Sequence, residues 1–247
     1  DYEVLDTARV IVAYKVSYRN SSNSQLDVRY KQLCGEQTSL FYSVAQQYEN
    51  RVRHKDNWNE EEMNEFYAAG VPTIVIPSEI YLISNEFRIR HNVPFSDDIM
   101  YEYRESLEKI EWQLTNHTQE ICGYLCSSAE TSYGGRVWRV WFSPEIPISS
   151  GPWLLRGLPG LILMAEDSEG DFRFEMEGIS QQCEEIRLYD WNTEQITKKQ
   201  WLKFERNAHL NPYSQFGQGG QVRFYNSSDM QELKSEWTIE YYPLYRY

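Results

Sequence analysis

From Ala8 to Tyr18 the chain alternates with period two. Ala8, Val10, Val12, Tyr14, Val16 and Tyr18 share one side, while Arg9, Lys15, Ser17 and Arg19 lie on the other. That pattern predicts a half-buried antiparallel strand. The polar run 20–25 predicts a turn into a second strand over 26–33. From residue 39 the pattern changes. Ser43 reads as the cap of a helix carrying Val44, Gln47, Tyr48 and Val52. Asn57 reads as the cap of another, carrying Met63, Phe66 and Tyr67 and ended by Gly70. Strands return over 80–84 and 87–91 as a hairpin, then over 100–104 and 110–115. A long hairpin is predicted from 120–133 and 136–143, because Gly134-Gly135 allows positive φ at both turn positions. Residues 161–166 and 172–179 predict another hairpin. Thr197 with Gln200 three residues later forms a capping box for a helix with Trp201, Phe204 and Ala208 on one face, stopped at Asn211-Pro212. A last strand is predicted over 237–242. The expectation is a mainly β (α+β) fold: a curved antiparallel sheet or half-barrel with two or three helices, in one domain spanning 1–247.

The stretch before residue 161 breaks the alternation. Pro144, Pro147, Pro152 and Pro159 each fix φ and remove a backbone donor, so this segment is not a central strand. Leu161, Ile162, Leu163 and Met164 then follow without polar alternation, as in a strand covered on both faces. Trp153, Leu154, Leu155 and Leu158 are the natural cover. Two readings follow: a stiff loop that plugs the core, or a rim around a ligand cavity. The candidate binding residues are Trp138, Trp141, Glu145, Trp153, Arg156 and Leu158. Glu145, held between Pro144 and Pro147, reads as an anchor for backbone donors. Arg136 and Arg156 read as holders of carboxylates or loop carbonyls.

These segments carry a family resemblance. Trp112-x-Leu114, Ile121-x-Gly-Tyr-x-Cys126, Gly135-Arg-Val-Trp138, Trp141 to Ile148 and Gly151 to Leu163 together resemble the GLPGLI family of Bacteroidota envelope proteins, named for the run Gly157 to Ile162. The match is concentrated in residues 110–180. It implies an exported protein, periplasmic or outer-membrane associated, that binds an envelope or outer-membrane partner. It implies no catalytic residue. The family cysteine corresponds to Cys126, with Cys122 an addition. The order of strands and the Leu-Pro loop are also similar to lipoprotein-carrier half-barrels, which implies an apolar hollow for a lipid or aromatic ligand.

Composition narrows these readings. The 247 residues are 41% hydrophobic and 15% aromatic, enough for a substantial core. A net charge of −13 argues against nucleic-acid binding and against an anionic membrane surface. No apolar run approaches the ~20 residues of a transmembrane helix. The chain begins at Asp1 rather than Met, so it reads as processed or trimmed, and an upstream leader or lipid-carrying cysteine is not readable from it. Cys34, Cys122, Cys126 and Cys183 allow three pairings, and one disulfide, two, or four thiols stay open. Cys122 and Cys126 would be roughly 13 Å apart in a single strand, too far to pair with each other.

No nucleophile elbow, paired-histidine metal helix or phosphate loop is present, and no cofactor is expected. His54, His91, His117 and His209 are isolated in sequence. The leading expectation is therefore a non-catalytic binding protein. The alternatives are a hydrolase of peptide or glycan with a site assembled from distant segments, and a Cys/His metal protein.

Overall fold

The computed structural model describes residues 1–19, 23–53, 64, 76–92, 99–210 and 242–246. Apart from residue 64, which is helical, the predicted second helix over 57–70 lies outside the described residues, as does most of the predicted last strand, 237–241. Within them the protein is mainly β with two helices, built on a large curved sheet that does not close.

The strands are β1 (Tyr2–Ala8), β2 (Val10–Arg19), β3 (Gln25–Cys34), β4 (Thr38–Ser43), β5 (Glu79–Ile83), β6 (Glu86–Asn92), β7 (Ile99–Ser106), β8 (Gln113–Ile121), β9 (Tyr124–Tyr133), β10 (Arg136–Ser143), β11 (Leu161–Asp167), β12 (Phe172–Ser180), β13 (Glu184–Tyr189) and β14 (Asn192–Gln195). The helices are α1 (Val44–Arg53) and α2 (Lys198–Leu210). Twelve strands form one sheet in the order β14-β7-β6-β5-β4-β3-β2-β12-β11-β10-β9-β8, and β1 pairs with β13 in a separate ribbon. All pairings are antiparallel except β14 with β7.

The curvature is visible in side-chain distances. Strands β4 and β12 stand three places apart, which would be ~14 Å in a flat sheet. Yet the rings of Phe41 and Phe174 lie 6.4 Å apart, centroid to centroid. The sheet therefore bends towards the face that carries Tyr14, Tyr30, Phe41, Trp138 and Phe174. This inner face holds the main core. Tyr14 buries its hydroxyl there by donating to the carbonyl of Ile162 at 2.7 Å. A smaller core of Leu33, Leu40, Tyr42, Tyr81, Ala8 and Ile186 occupies the outer face, under the β1–β13 ribbon.

Two sequence expectations are corrected. The strand predicted over 8–18 is two strands. The chain leaves the ribbon at Ala8 and enters the large sheet at Val10, so a single alternation spans two sheets. The strand predicted over 120–133 is a hairpin: Cys122 (φ 49°) and Gly123 (φ 83°) form its turn. A cysteine is a poor turn signal, and only Gly123 hinted at it. Of the alternatives left open for the four cysteines, the structure shows four free thiols and no disulfide among them. Cys34 ends β3 and Cys126 sits in β9, five places away in the sheet order, while Cys122 lies in the β8–β9 turn and Cys183 between β12 and β13. The helix read as capped by Ser43 forms and starts at Val44, and the residues just before it, Thr38–Ser43, form β4.

The capping box forms as expected. Thr197 N–H donates to Gln200 Oε1 at 2.8 Å, and Gln200 N–H donates back to Thr197 Oγ1 at 3.2 Å. Helix α2 then buries Trp201 and Ala208 against the inner face, where Trp201 stacks on His91 at 3.7 Å.

Candidate functional site

The proline-rich loop 144–160 lies across the inner face. Trp153, Leu154, Leu155 and Leu158 are all buried in the main core, and so are Leu161 to Met164. Trp153 adopts φ 54° and sets its ring 5.5 Å from Trp138 on β10. The loop reaches as far as β4 and β5, where Trp153 and Leu155 meet Phe41 and Ile80 around a gap of about 10 Å³. Such a gap holds a single water at most. The bend that could have made an apolar hollow is filled here by the protein's own side chains.

The candidate residues thus separate. Trp138, Trp153 and Leu158 come together inside the core. Trp141 is buried on β10 next to a register shift. Arg156 is half-buried; burial lowers its pKa, and its carbonyl accepts from Trp112 Nε1 at 2.9 Å. Glu145 is exposed and accepts from the backbone N–H of Leu125 on β9 at 3.1 Å. It does anchor a backbone donor, though one on a neighbouring strand rather than in its own loop. Arg136 donates to Asp167 and Asp171 and to the carbonyls of Pro243 and Leu244, tying the described C-terminal residues to β10.

The outer face carries a different kind of site. A pocket of about 70 Å³ lies between α1, the edge of β13 and strands β3 to β5. Its floor is a buried polar network. Glu79 is 1% exposed and accepts from Asn50 Nδ2 at 2.6 Å, while Asn50 Oδ1 accepts from Trp191 Nε1 at 2.7 Å. Arg90 bridges Glu79 (3.5 Å) to Glu102 (2.8 Å). Burial works against the Arg90 charge, but Glu79, Tyr81 and Glu102 together outweigh it and raise the pKa. Burial likewise works against the Glu102 charge, and hydrogen bonds from Arg88, Arg90 and Gln195 hold its pKa below the usual carboxylate value. Arg90 and Glu102 are thus held in their charged forms.

The pocket wall is mixed. Leu33, Leu40 and Tyr42 give it an apolar side, and Gln47, Glu184, Glu185 and Arg187 a polar one. Gln47 Nε2 donates to Glu184 at 3.5 Å, and Arg187 Nε donates to Glu185 at 3.0 Å. Arg187 also lies over the ring of Tyr2, 4.4 Å from its centroid, and Tyr2 packs on Tyr189 at 5.5 Å. Tyr2 remains 42% exposed.

None of these pocket residues was read from the sequence as a binding or catalytic residue. The alternation of Glu185, Arg187 and Tyr189 could have marked β13. Its pairing with β1, more than 170 residues away, leaves no local signal. Among the described residues no three His, Cys, Asp or Glu side chains are placed to hold a metal ion. His91 is buried on β6, and His117 lies on the edge strand β8. His54 and the side chain of His209 lie outside what is described.

Residues 71–196 match the protein family described as N-glycanase peptide, N-terminal domain. The chain belongs to this family. Its fold is shared with PNGF-II in two crystal forms. Both align at a TM-score of 0.50 and 15% identity over 83% of this chain, and over 34% and 33% of the PNGF-II chain. The chain thus spans about a third of the length of PNGF-II. The LolA superfamily protein NE2245 from Nitrosomonas europaea aligns at a TM-score of 0.28 and 10% identity, over 72% of this chain and 86% of that one. That likeness is too loose to support a shared role. No curated protein matches the chain. No helix among the described residues is long and apolar enough to cross a membrane.

Proposed function

We propose that this chain is a recognition module of an exported N-glycanase-type protein, one that engages N-glycosylated protein without itself cleaving the glycan. The observation that carries this reading is the pairing of family and extent. The family is named for the N-terminal domain of an N-glycanase, and the fold occupies only about a third of PNGF-II. The chemistry of the site supports it. The buried carboxylates are already engaged, Glu102 by Arg88 and Arg90 and Glu79 by Asn50 and Arg90, so neither is free to serve a substrate. The outer-face pocket offers what sugar hydroxyls and amides need: polar groups beside an exposed aromatic ring. Export, and the GLPGLI-type affiliation drawn from residues 110–180, belong to the same reading. An apolar-ligand carrier is favoured less, because loop 144–160 fills the bend of the sheet.

The test is binding and turnover on one substrate. The purified chain is presented with an N-glycosylated protein and with the same protein stripped of its glycans, and supernatants are searched for released glycan by mass spectrometry. Glycan-dependent binding with no release is expected. Release of glycan, or equal binding to both forms, would overturn the reading.

A further inference from the structure

Helix α2 carries cations that the protein's own carboxylates do not use. Lys199, Lys203 and Arg206 are exposed, and among the described residues none of them makes an ion pair. Their neighbours do: Lys198 reaches Glu105 at 2.9 Å, and Arg246 reaches Asp171 at 2.7 Å. The spacing i, i+4, i+7 sets the three on one side of the helix, in a stripe about 10 Å long. The helix itself gains nothing from this stripe. Lys198 and Lys199 stand in its first turn, which holds no acidic residue, and the helix dipole disfavours cations there. Lys199 and Lys203, four residues apart, repel each other. The charge is thus left to be met from outside, in a chain with 37 acidic residues against 24 basic ones.

The stripe borders an open groove of about 920 Å³ between α2 and the described C-terminal residues. Leu202, Pro243 and the ring of Tyr245 give the groove apolar lining, and Lys198 lies over that ring at 3.9 Å. A matching partner therefore carries anions in a line with an apolar group beside them. An extended acidic peptide does. Its same-side carboxylates recur about every 6–7 Å, close to the rise of roughly 6 Å between Lys199 and Lys203. A long polyanion or an anionic bilayer would meet the stripe too, but it would also face the acidic remainder of the surface and leave the apolar lining without a match. A short segment covers only the stripe and the groove.

We propose that Lys199, Lys203 and Arg206, with the groove beside them, form a docking surface for a short acidic segment of another protein, one that carries an apolar side chain among its carboxylates. The surface stands apart from the outer-face pocket and does not depend on glycan recognition. The probe is a fluorescein-labelled peptide of alternating glutamate and serine with one central phenylalanine. Its binding to the whole chain is read by fluorescence anisotropy at low salt. Two control peptides replace every glutamate by lysine, or the phenylalanine by serine. The acidic peptide is expected to bind, the lysine peptide not to bind, and the peptide without phenylalanine to bind more weakly. The combined variant Lys199→Gln, Lys203→Gln and Arg206→Gln should weaken the acidic peptide about tenfold or more, while Arg139→Gln leaves it unchanged. Raising the salt should weaken it as well. The three substitutions relieve repulsion within α2, so the thermal midpoint should hold or rise, and lost binding is not lost folding. Binding that survives the combined variant overturns the location. Equal binding with and without phenylalanine overturns the role of the groove. Tighter stripe-dependent binding to heparin oligosaccharides, or to phosphatidylglycerol vesicles, overturns the protein partner in favour of another polyanion. Stripe-dependent self-association in sedimentation overturns it in favour of a second copy of this chain. Absence of binding by the acidic peptide at low salt overturns the proposal outright.

Discussion

The indole of Trp153 lies 5.5 Å from that of Trp138, tilted by 44°, although one sits in an irregular loop and the other in the middle of a strand. Trp153 also packs edge-on against Tyr133 and Tyr245. It is the point at which the loop is pinned to the sheet. Trp153→Ala should therefore lower stability by about 3–5 kcal/mol, the range for truncating a large buried aromatic. Trp153 Nε1 is buried with no hydrogen-bond partner. Trp153→Phe removes that unsatisfied group along with some area, so its loss should be well under half as large. Urea denaturation of the two variants checks the order.

Arg136 predicts a different response. Its guanidinium is buried between Asp167 and Asp171, with Asp171 at 2.9 Å. Asp171 also meets Arg246 at 2.7 Å and Arg19 at 3.4 Å. Among the described residues Asp167 makes no second direct ion pair, and it keeps the backbone N–H of Phe172. Arg136→Met should cost about 3–5 kcal/mol, as expected when one partner of a buried ion pair is removed. Adding Asp167→Asn should restore part of that loss, because the stranded charge is gone. A double-mutant cycle in denaturant measures the coupling.

These two residues mark what could be read from the sequence alone. Proline spacing and unbroken hydrophobicity located the loop, its apolar cover and the doubly covered strand β11. The capping box located α2. Such features are local, and local patterns survive in one dimension. Arg136 was read as a holder of carboxylates, but its partners at 167 and 171 and the carbonyls of 243 and 244 could not be named. The outer-face pocket was invisible for the same reason. Tyr2, Asn50, Glu79 and Arg187 come together only when β1 pairs with β13 and α1 packs beside them. The hairpin at Cys122-Gly123 was hidden because a cysteine stands where Asn or Asp would normally announce the turn.

His91 gives a pH dependence with a definite sign. It is buried, stacked on Trp201, and neither ring nitrogen has a hydrogen-bond partner among the described residues. Burial pushes its pKa well below the ordinary value of 6.5. Below about pH 6.5 the unfolded chain takes up a proton that the folded chain refuses, so stability falls as pH drops from 6.5 towards the folded pKa. The slope is about 1.4 kcal/mol per pH unit. Between pH 7 and pH 5 the wild type should lose up to about 2 kcal/mol more than His91→Phe, which keeps the stacking and cannot titrate. Denaturant midpoints for both proteins at the two pH values read the difference, and parallel losses would argue against it.

The cysteines should divide into two classes. Cys34 and Cys126 are buried, and burial pushes each thiol up to about 11. Cys122 and Cys183 are exposed. Since the thiolate is the reactive species, iodoacetamide at pH 8 should label Cys122 and Cys183 in the folded protein and leave the other two intact. Unfolding in guanidinium should make all four reactive. Peptide mass spectrometry identifies the labelled sites, and fewer than four thiols in denaturant would contradict the unpaired state.

The run Gly157 to Ile162 needs its glycines for two unlike reasons, and substitution distinguishes them. Gly157 holds φ +95°, in the region that side chains resist, but an added Cβ would find its nearest neighbour, Trp112 Nε1, at 3.7 Å. The site is strained for alanine yet roomy, and Gly157→Ala should cost about 1 kcal/mol. At Gly160 the backbone is ordinary and the space is missing. An added Cβ would lie 2.2 Å from the carbonyl oxygen of Ser143, at the point where Ser143 pairs with Leu161. No side chain can rotate away to relieve that contact, so β10 and β11 must separate at their ends. Gly160→Ala should therefore cost about 1–3 kcal/mol or more, as overpacking does. It should also expose the backbone amides of the β10–β11 pair to faster hydrogen exchange, a change that Gly157→Ala should not produce. If the two variants melt alike and exchange alike, close packing of the loop against the end of β10 is not what the second glycine secures.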